Sequence, residues 1–195
     1  VLQKFREFAS KSDGRLRAFI DTVTLPADGK RINRPVLLGN VMGVLNGADP
    51  TDNRILIISG HLDRRRKDVM DSVGIAPGAD DDGSGTAAVM ECARVMSQHS
   101  FPATVIFVAV SGEEQGLLGS TFLANKAKKE NWNVAAMLNN DIVGSNNSSG
   151  TNIINNTEIR VFSEGIPHYK TEEQIRRIIS LGLENDGNSR QLARY

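Results

Sequence analysis

Residues 53–63 read NRILIISGHLD. Four consecutive aliphatic side chains, Ile55 to Ile58, carry no polar alternation. A strand with one face in water alternates apolar and polar residues, whereas a strand covered on both faces can be apolar throughout. The run is too short for a helix of ordinary length and ends abruptly at Gly60-His61, so it reads as a short strand buried on both sides. A second run of the same kind, ATVIFVAVS, follows at 103–111. Between the two, Gly83–Ser97 shows helical spacing, with Ala87, Ala88, Met90, Cys92, Val95 and Met96 available for a core face. Strand, helix and strand in this order specify a parallel pair inside an α/β sheet.

The pattern extends in both directions. Val1–Ala9 reads as a short helix, and Leu16–Leu25 and Pro35–Leu45 as strands joined by a turn at Pro26–Asn33, PADGKRIN. Downstream, Leu118–Lys129 reads as a helix and Val134–Val143, VAAMLNNDIV, as a third buried strand. Gly144–Asn156 is a polar loop, Glu158–Phe162 a strand, and Thr171–Leu183 a helix with Thr171 as its N-cap. A further helix is expected to start at Asp186–Ser189. The expected architecture is a three-layer α/β/α domain with a mostly parallel central sheet, occupying residues 1–195 as one unit, without internal repeats.

Composition narrows the function. Lys+Arg and Asp+Glu are both 23 in 195 residues, so no basic excess calls for nucleic acid or an anionic membrane. No apolar run approaches the length that spans a bilayer. The single cysteine, Cys92, excludes an intramolecular disulfide and reads as a small buried thiol.

The acidic residues fall where strands end. His61 and Asp63 follow the first apolar strand; Asp80, Asp81 and Asp82 precede the next helix; Glu113 and Glu114 follow the second strand; Asp141 lies at the end of AAMLNND. In an open parallel sheet the carboxyl ends of the strands share one edge, where ligands bind. Each motif alone has an ordinary structural reading: an aspartate run in a glycine-rich loop is a solvated turn, and two glutamates after a strand begin a helix. The glycines could suggest a phosphate cradle, but no lysine follows in the P-loop arrangement. Together they bring several carboxylates and one imidazole to one edge, which is unfavourable unless a cation offsets the repulsion. Oxygen donors plus an imidazole suit Zn²⁺ or a close relative.

The stretches SGHLD (59–63), APGADDDGSGTAAVME (76–91), SGEEQGLLGS (111–120) and LNNDIVG (138–144) together resemble the M28 family of zinc aminopeptidases. The resemblance implies the zinc-exopeptidase (phosphorylase/hydrolase-like) fold, peptide substrates and two zinc ions sharing a bridging aspartate. By position, His61 and Asp141 match ligands of the first zinc, Asp81 the bridging ligand, and Glu114 the carboxylate of the second zinc. Glu113 matches the general base and Asp63 the acid that orients the histidine. The resemblance also implies a cis peptide between Asp81 and Asp82, and a secreted or periplasmic location whose signal is not in this chain; a cytoplasmic one stays open.

One family element has no counterpart, a histidine ligand of the second zinc from a loop beyond the Asp141 strand. His99, in SQHSFP, reads as a surface or capping residue, and His168, in GIPHYK, lacks the family's motif. The chain therefore resembles a family member lacking C-terminal elements. The expectations are a first site of His61, Asp81 and Asp141, a second site weak or empty, an incomplete sheet open to self-association, and reduced activity. Two alternatives stand beside the aminopeptidase: a single-zinc acyltransferase resembling glutaminyl cyclases, and a non-catalytic binding or assembly module of the same fold.

Overall fold

In chain order the protein forms α1 (Leu2–Ala9), β1 (Leu16–Leu25), β2 (Val36–Leu45), β3 (Arg54–His61), α2 (Gly83–Met96), β4 (Thr104–Val110), α3 (Leu118–Lys129), β5 (Asn133–Asn139), β6 (Asn147–Ser148), β7 (Ile153–Ile154) and α4 (Glu172–Ser180). The computed structural model describes residues 1–144, 147–148, 153–155, 157, 161 and 171–180. Two compact units divide the chain, Val1–Ser145 and Asn146–Tyr195.

The first unit is built on a five-stranded sheet in the order β1-β2-β4-β3-β5. Strand β3 pairs in parallel with β4 on one side and β5 on the other, while β2 pairs antiparallel with both β1 and β4. Four of the five strands thus run in one direction, and β2 alone opposes them. The antiparallel β1–β2 ladder runs unbroken from Leu16 opposite Leu45 to Leu25 opposite Val36. Its connecting turn is held by Asp28, whose Oδ1 accepts from the backbone N–H of Lys30, Arg31 and Ile32, each at 2.8 Å.

Strand β4 shows why its sequence lacks alternation. Val105, Phe107 and Ala109 pack on one side, in a core with Phe5 of α1 and Val89 and Ala93 of α2. Ile106, Val108 and Val110 pack on the other, with Leu123 of α3. Opposite faces of a strand meet different helical layers because successive side chains point to opposite sides. The three-layer expectation is therefore met.

Three local expectations change. The α2 core face is set by Gly85, Thr86, Val89 and Ala93, a spacing of three and four residues, so Ala87 and Val95 face solvent. Cys92 is half-buried, and burial together with the Glu91 charge pushes its thiol pKa up. The segment read as a third buried strand is largely exposed: Val134, Met137 and Leu138 are 40%, 45% and 49% exposed. Among the described residues β5 pairs with β3 alone, so it sits at a sheet edge beyond the cover of α2 and α3. An apolar run predicts a strand but not whether a layer covers it. Strand β5 also ends at Asn139, which leaves Asp141 in the loop beyond it.

In the second unit, β6 and β7 form a short antiparallel pair within the span read as a polar loop. Helix α4 begins where expected: Thr171 Oγ1 accepts from Gln174 N at 3.3 Å, and Gln174 Oε1 accepts from Thr171 N at 3.0 Å. This reciprocal pair is a capping box. The strand expected at 158–162, apart from Val161, and the helix expected from Asp186 lie outside the described residues. No helix among the described residues is long and apolar enough to cross a membrane.

Phe5 is fully buried, and its ring fills the space over Gly43, where a Cβ would come within 3.1 Å of it. Phe5→Ala is expected to lower unfolding free energy by about 3–5 kcal/mol. Val95→Ala, on the solvent face of α2, should change it by roughly 0.5 kcal/mol or less. Urea unfolding of both variants checks the pair.

Candidate metal centre

The carboxyl ends of β3, β4 and β5 share one edge of the sheet, because these three strands are parallel. His61 is the last residue of β3, Glu113 and Glu114 follow β4, and Asp141 follows β5. The aspartates reach the same edge from the loop before α2, and the bond between Asp81 and Asp82 is cis.

His61 is 4% exposed. Its Nε2 faces Asp81 Oδ1 at 3.2 Å, Glu113 Oε2 at 3.9 Å and Asp141 Oδ1 at 4.0 Å. His61, Asp81 and Asp141 each offer one ligand atom, all within 4.8 Å of one another. One imidazole nitrogen and two carboxylate oxygens, with one open side, match the donor set of a catalytic zinc ion. These three residues therefore fit a divalent metal.

The supporting contacts differ from expectation at Asp63. Its backbone carbonyl, not its carboxylate, lies 3.0 Å from His61 Nδ1; the nearer carboxylate oxygen is 3.9 Å away. That carbonyl makes Nδ1 the donor and turns Nε2 outward as the free ligand. The Asp63 carboxylate instead accepts from Glu113 N and Glu114 N, each at 3.0 Å. Its hydrogen bonds go to the glutamate pair, while its charge, 3.9 Å from Nδ1, still acts on the imidazole. Strand β3 ends at His61, so Asp63 lies in the loop beyond it.

The sequence pattern assigns no role at the centre to two residues that shape it. Asp82 is 2% exposed and accepts from His61 N at 2.8 Å, Gly85 N at 2.9 Å and Ile142 N at 3.3 Å. It is the N-cap of α2, a role visible once that helix is placed at Gly83. The other is Arg64. Its Nη1 lies 2.7 Å from Asp81 Oδ2 and 2.6 Å from Glu114 Oε1, while Arg65 Nε lies 2.9 Å from Glu114 Oε2. The arginine run at 64–66, directly after His61 and Asp63, was the available signal. Glu114 is thus held by two arginines. His99 lies past the far end of α2, about 20 Å along the helix from Asp82. His168 lies outside the described residues.

Charge at the site is graded. Burial opposes the charged form of His61, but Asp82, the Asp63 carbonyl, Glu113 and Asp63 outweigh it and raise its pKa above the ordinary 6.5. Burial also raises Glu113, reinforced by Glu114, Asp141 and Asp63 against the opposing pull of His61. Burial and the Asp82 charge raise Asp141. Glu114 goes the other way: burial would raise it, but Arg64 and Arg65 prevail and lower it. The two adjacent glutamates are therefore pushed apart, Glu113 toward holding a proton and Glu114 toward staying ionised.

The model of Peptidase family M28 matches residues 40–172, a span that contains every residue described at this centre. The chain belongs to Peptidase family M28. It is 39% identical over 195 residues to a "Probable zinc metalloprotease" of Leptosphaeria maculans, covering all of this chain and 44% of that protein. The chain thus spans less than half the length of this curated relative. Among solved structures, the Legionella pneumophila LapA aminopeptidase is 26% identical with a TM-score of 0.56, over 76% of this chain and 36% of that one. A Porphyromonas gingivalis glutaminyl cyclase superimposes with a TM-score of 0.56 at 20% identity, over 75% of this chain and 51% of its own, a likeness of fold alone.

A metal competes with a proton for His61 Nε2. Because the pKa of His61 is raised, metal affinity should be full above that value and fall about tenfold per pH unit below it, with the loss beginning above pH 6.5. His61→Ala should abolish zinc uptake measured by equilibrium dialysis, and zinc retained at the wild-type level would contradict the ligand set.

Gly85 has no room for a side chain: a Cβ would meet the Asp82 carboxylate at 2.6 Å or less and crowd the Asn140 carbonyl. Gly85→Ala is expected to cost about 1–3 kcal/mol of stability and to weaken zinc binding together with it. Thermal unfolding and competition with a chelating dye read the two effects separately.

Proposed function

We propose that this chain carries the metal centre of a zinc-dependent aminopeptidase, with Glu113 as general base. The observation that carries the reading is the convergence on His61 Nε2. Two further metal-ligand carboxylates and an uncommitted glutamate meet there within 4.0 Å, at the open edge of the sheet. Zinc is supported by the donor set and by the metalloprotease description of the Leptosphaeria relative. When bound, zinc would lower the pKa of a coordinated water from 15.7 to about 7 and polarise a peptide carbonyl.

The residues divide the remaining work. His61, Asp81 and Asp141 hold the ion. Glu113, with its carboxylate side chain one-third exposed and its pKa raised, is placed to take the proton of the attacking water and deliver it to the leaving amine. Asp63 fixes the backbone of Glu113 and so the reach of its side chain. Removal of N-terminal residues, rather than internal cleavage, is supported by the acidic rim of Glu113 and Asp141, which suits a free α-ammonium group, and by the LapA likeness.

A second reading is favoured by one observation: Glu114, the expected ligand of a second zinc, is occupied by arginine. A centre with one metal fits acyl transfer by an N-terminal glutaminyl group as in the glutaminyl cyclases of the same fold. The test is turnover of leucine arylamide and of an N-terminal glutaminyl peptide, both with zinc supplied. Release of arylamine is expected, and Glu113→Gln should lower kcat about 10²–10⁴-fold with zinc content unchanged. Cyclisation of the glutaminyl peptide without arylamide hydrolysis would establish the second reading. Zinc uptake with neither reaction would make the chain a binding module.

A further inference from the structure

The carboxylates at the sheet edge are not equally free. Asp82 is satisfied by three backbone N–H groups and Asp63 by two. Asp81 divides its oxygens: Oδ1 faces His61 and the metal position, and Oδ2 faces Arg64. Both oxygens of Glu114 are engaged, Oε1 by Arg64 and Oε2 by Arg65. Glu114 is also the less exposed partner, 11% against 38% for each arginine, so these pairs are partly withdrawn from water.

A second divalent ion at Asp81 and Glu114 would therefore have to displace a guanidinium nitrogen that already touches both carboxylates. It would gain little in return. Zinc takes about four ligands, and among the described residues only these two carboxylates reach that position. A tethered guanidinium supplies positive charge there without dehydrating an ion and is not lost to dilution or to a chelator. Its planar fork suits carboxylate oxygens, and it stays protonated at every working pH.

We propose that Arg64 is the resident cation of the second position, so that this centre takes one divalent ion and one guanidinium instead of two ions. The proposal rests on the zinc-centre reading above and deepens it. Arg64 neutralises the Asp81–Glu114 pair and holds Asp81 Oδ1 toward the metal through the opposite oxygen, which makes it a positioning residue. It also sets Glu114 apart from the ligands, leaving His61, Asp81 and Asp141 as the ligand set among the described residues.

The experiment counts zinc. Chelator-stripped protein is titrated with zinc by calorimetry, and bound metal is measured after equilibrium dialysis. The wild type is expected to saturate at one zinc per chain. Arg64→Ala uncovers Asp81 Oδ2 and Glu114 Oε1, and a second, weaker zinc should then bind. Arg64→Ala combined with Glu114→Gln should lose that second step and keep the first. Arg64→Lys keeps a cation at the position and should stay at one zinc, which also guards against a folding defect in the alanine variant. Two zinc ions per wild-type chain would overturn the proposal while leaving the zinc centre intact, as would an unchanged single step in folded Arg64→Ala protein. A second step that survives Glu114→Gln would also overturn it. No zinc at all in the wild type would instead overturn the zinc-centre reading on which the proposal rests.

Discussion

The buried carboxylate of Asp82 ties the centre together. It receives N–H groups from His61 at the end of β3, from Gly85 in the first turn of α2 and from Ile142 beyond β5. A buried anion is tolerated only when its acceptor sites are filled, and here backbone from three separate segments fills them. The neighbouring contacts follow from the same constraint. Thr86 Oγ1 donates to the His61 carbonyl at 2.8 Å, and a Cβ on Gly60 would lie 2.8 Å from the Gly85 backbone. Strand β3 and helix α2 therefore meet backbone to backbone, and two glycines permit it. His61 and Asp81 can face each other because the main chain on either side of them is held through Asp82.

Around this anchor the site separates neighbouring carboxylates by their partners. Glu113 and Glu114 are consecutive, yet one is raised and the other lowered in pKa. The division is made by Arg64 and Arg65, which reach Glu114 and leave Glu113 to face His61. A third arginine reinforces it, with Arg31 Nη1 donating to the Glu114 carbonyl at 2.7 Å from the turn between β1 and β2. The antiparallel strands thus contribute to an edge otherwise built by parallel ones. A carboxylate pushed toward its protonated form and an ion-paired carboxylate are produced from identical side chains by which way each points.

Much of the architecture was legible before any coordinates. The strands at 54–61 and 104–110 and the helices at 83–96 and 118–129 follow from local apolar pattern, and so does the gathering of His61, Asp81, Glu113 and Asp141 at one edge, since parallel strands must end together. What pattern could not supply is whatever depends on a neighbour. Strand β5 has the same apolar run as β3, yet lies at an edge with Met137 and Leu138 exposed. Local pattern places Ala87 and Val95 of α2 with the core because apolar side chains surround the helix, and only its packing on β3 and β4 selects a face.

The sequence by itself determined the order of elements and the edge of the sheet at which the acids meet, because these depend on periodicity and on residues close in the chain, while the resemblance implied which of those acids would be donors. The tertiary structure alone decided how each donor is used. The Asp63 carboxylate is hydrogen-bonded to the Glu113 and Glu114 amides while the Asp63 carbonyl meets the His61 ring, Asp82 is a buried anchor rather than one more acid in a run, and Arg64 stands between Asp81 and Glu114. Each of these is a contact of less than about 3 Å between groups 17 to 51 residues apart, or a burial that several segments create together. Such contacts are set by where the backbone of one segment lies against another, and spacing along a single chain carries no record of that distance.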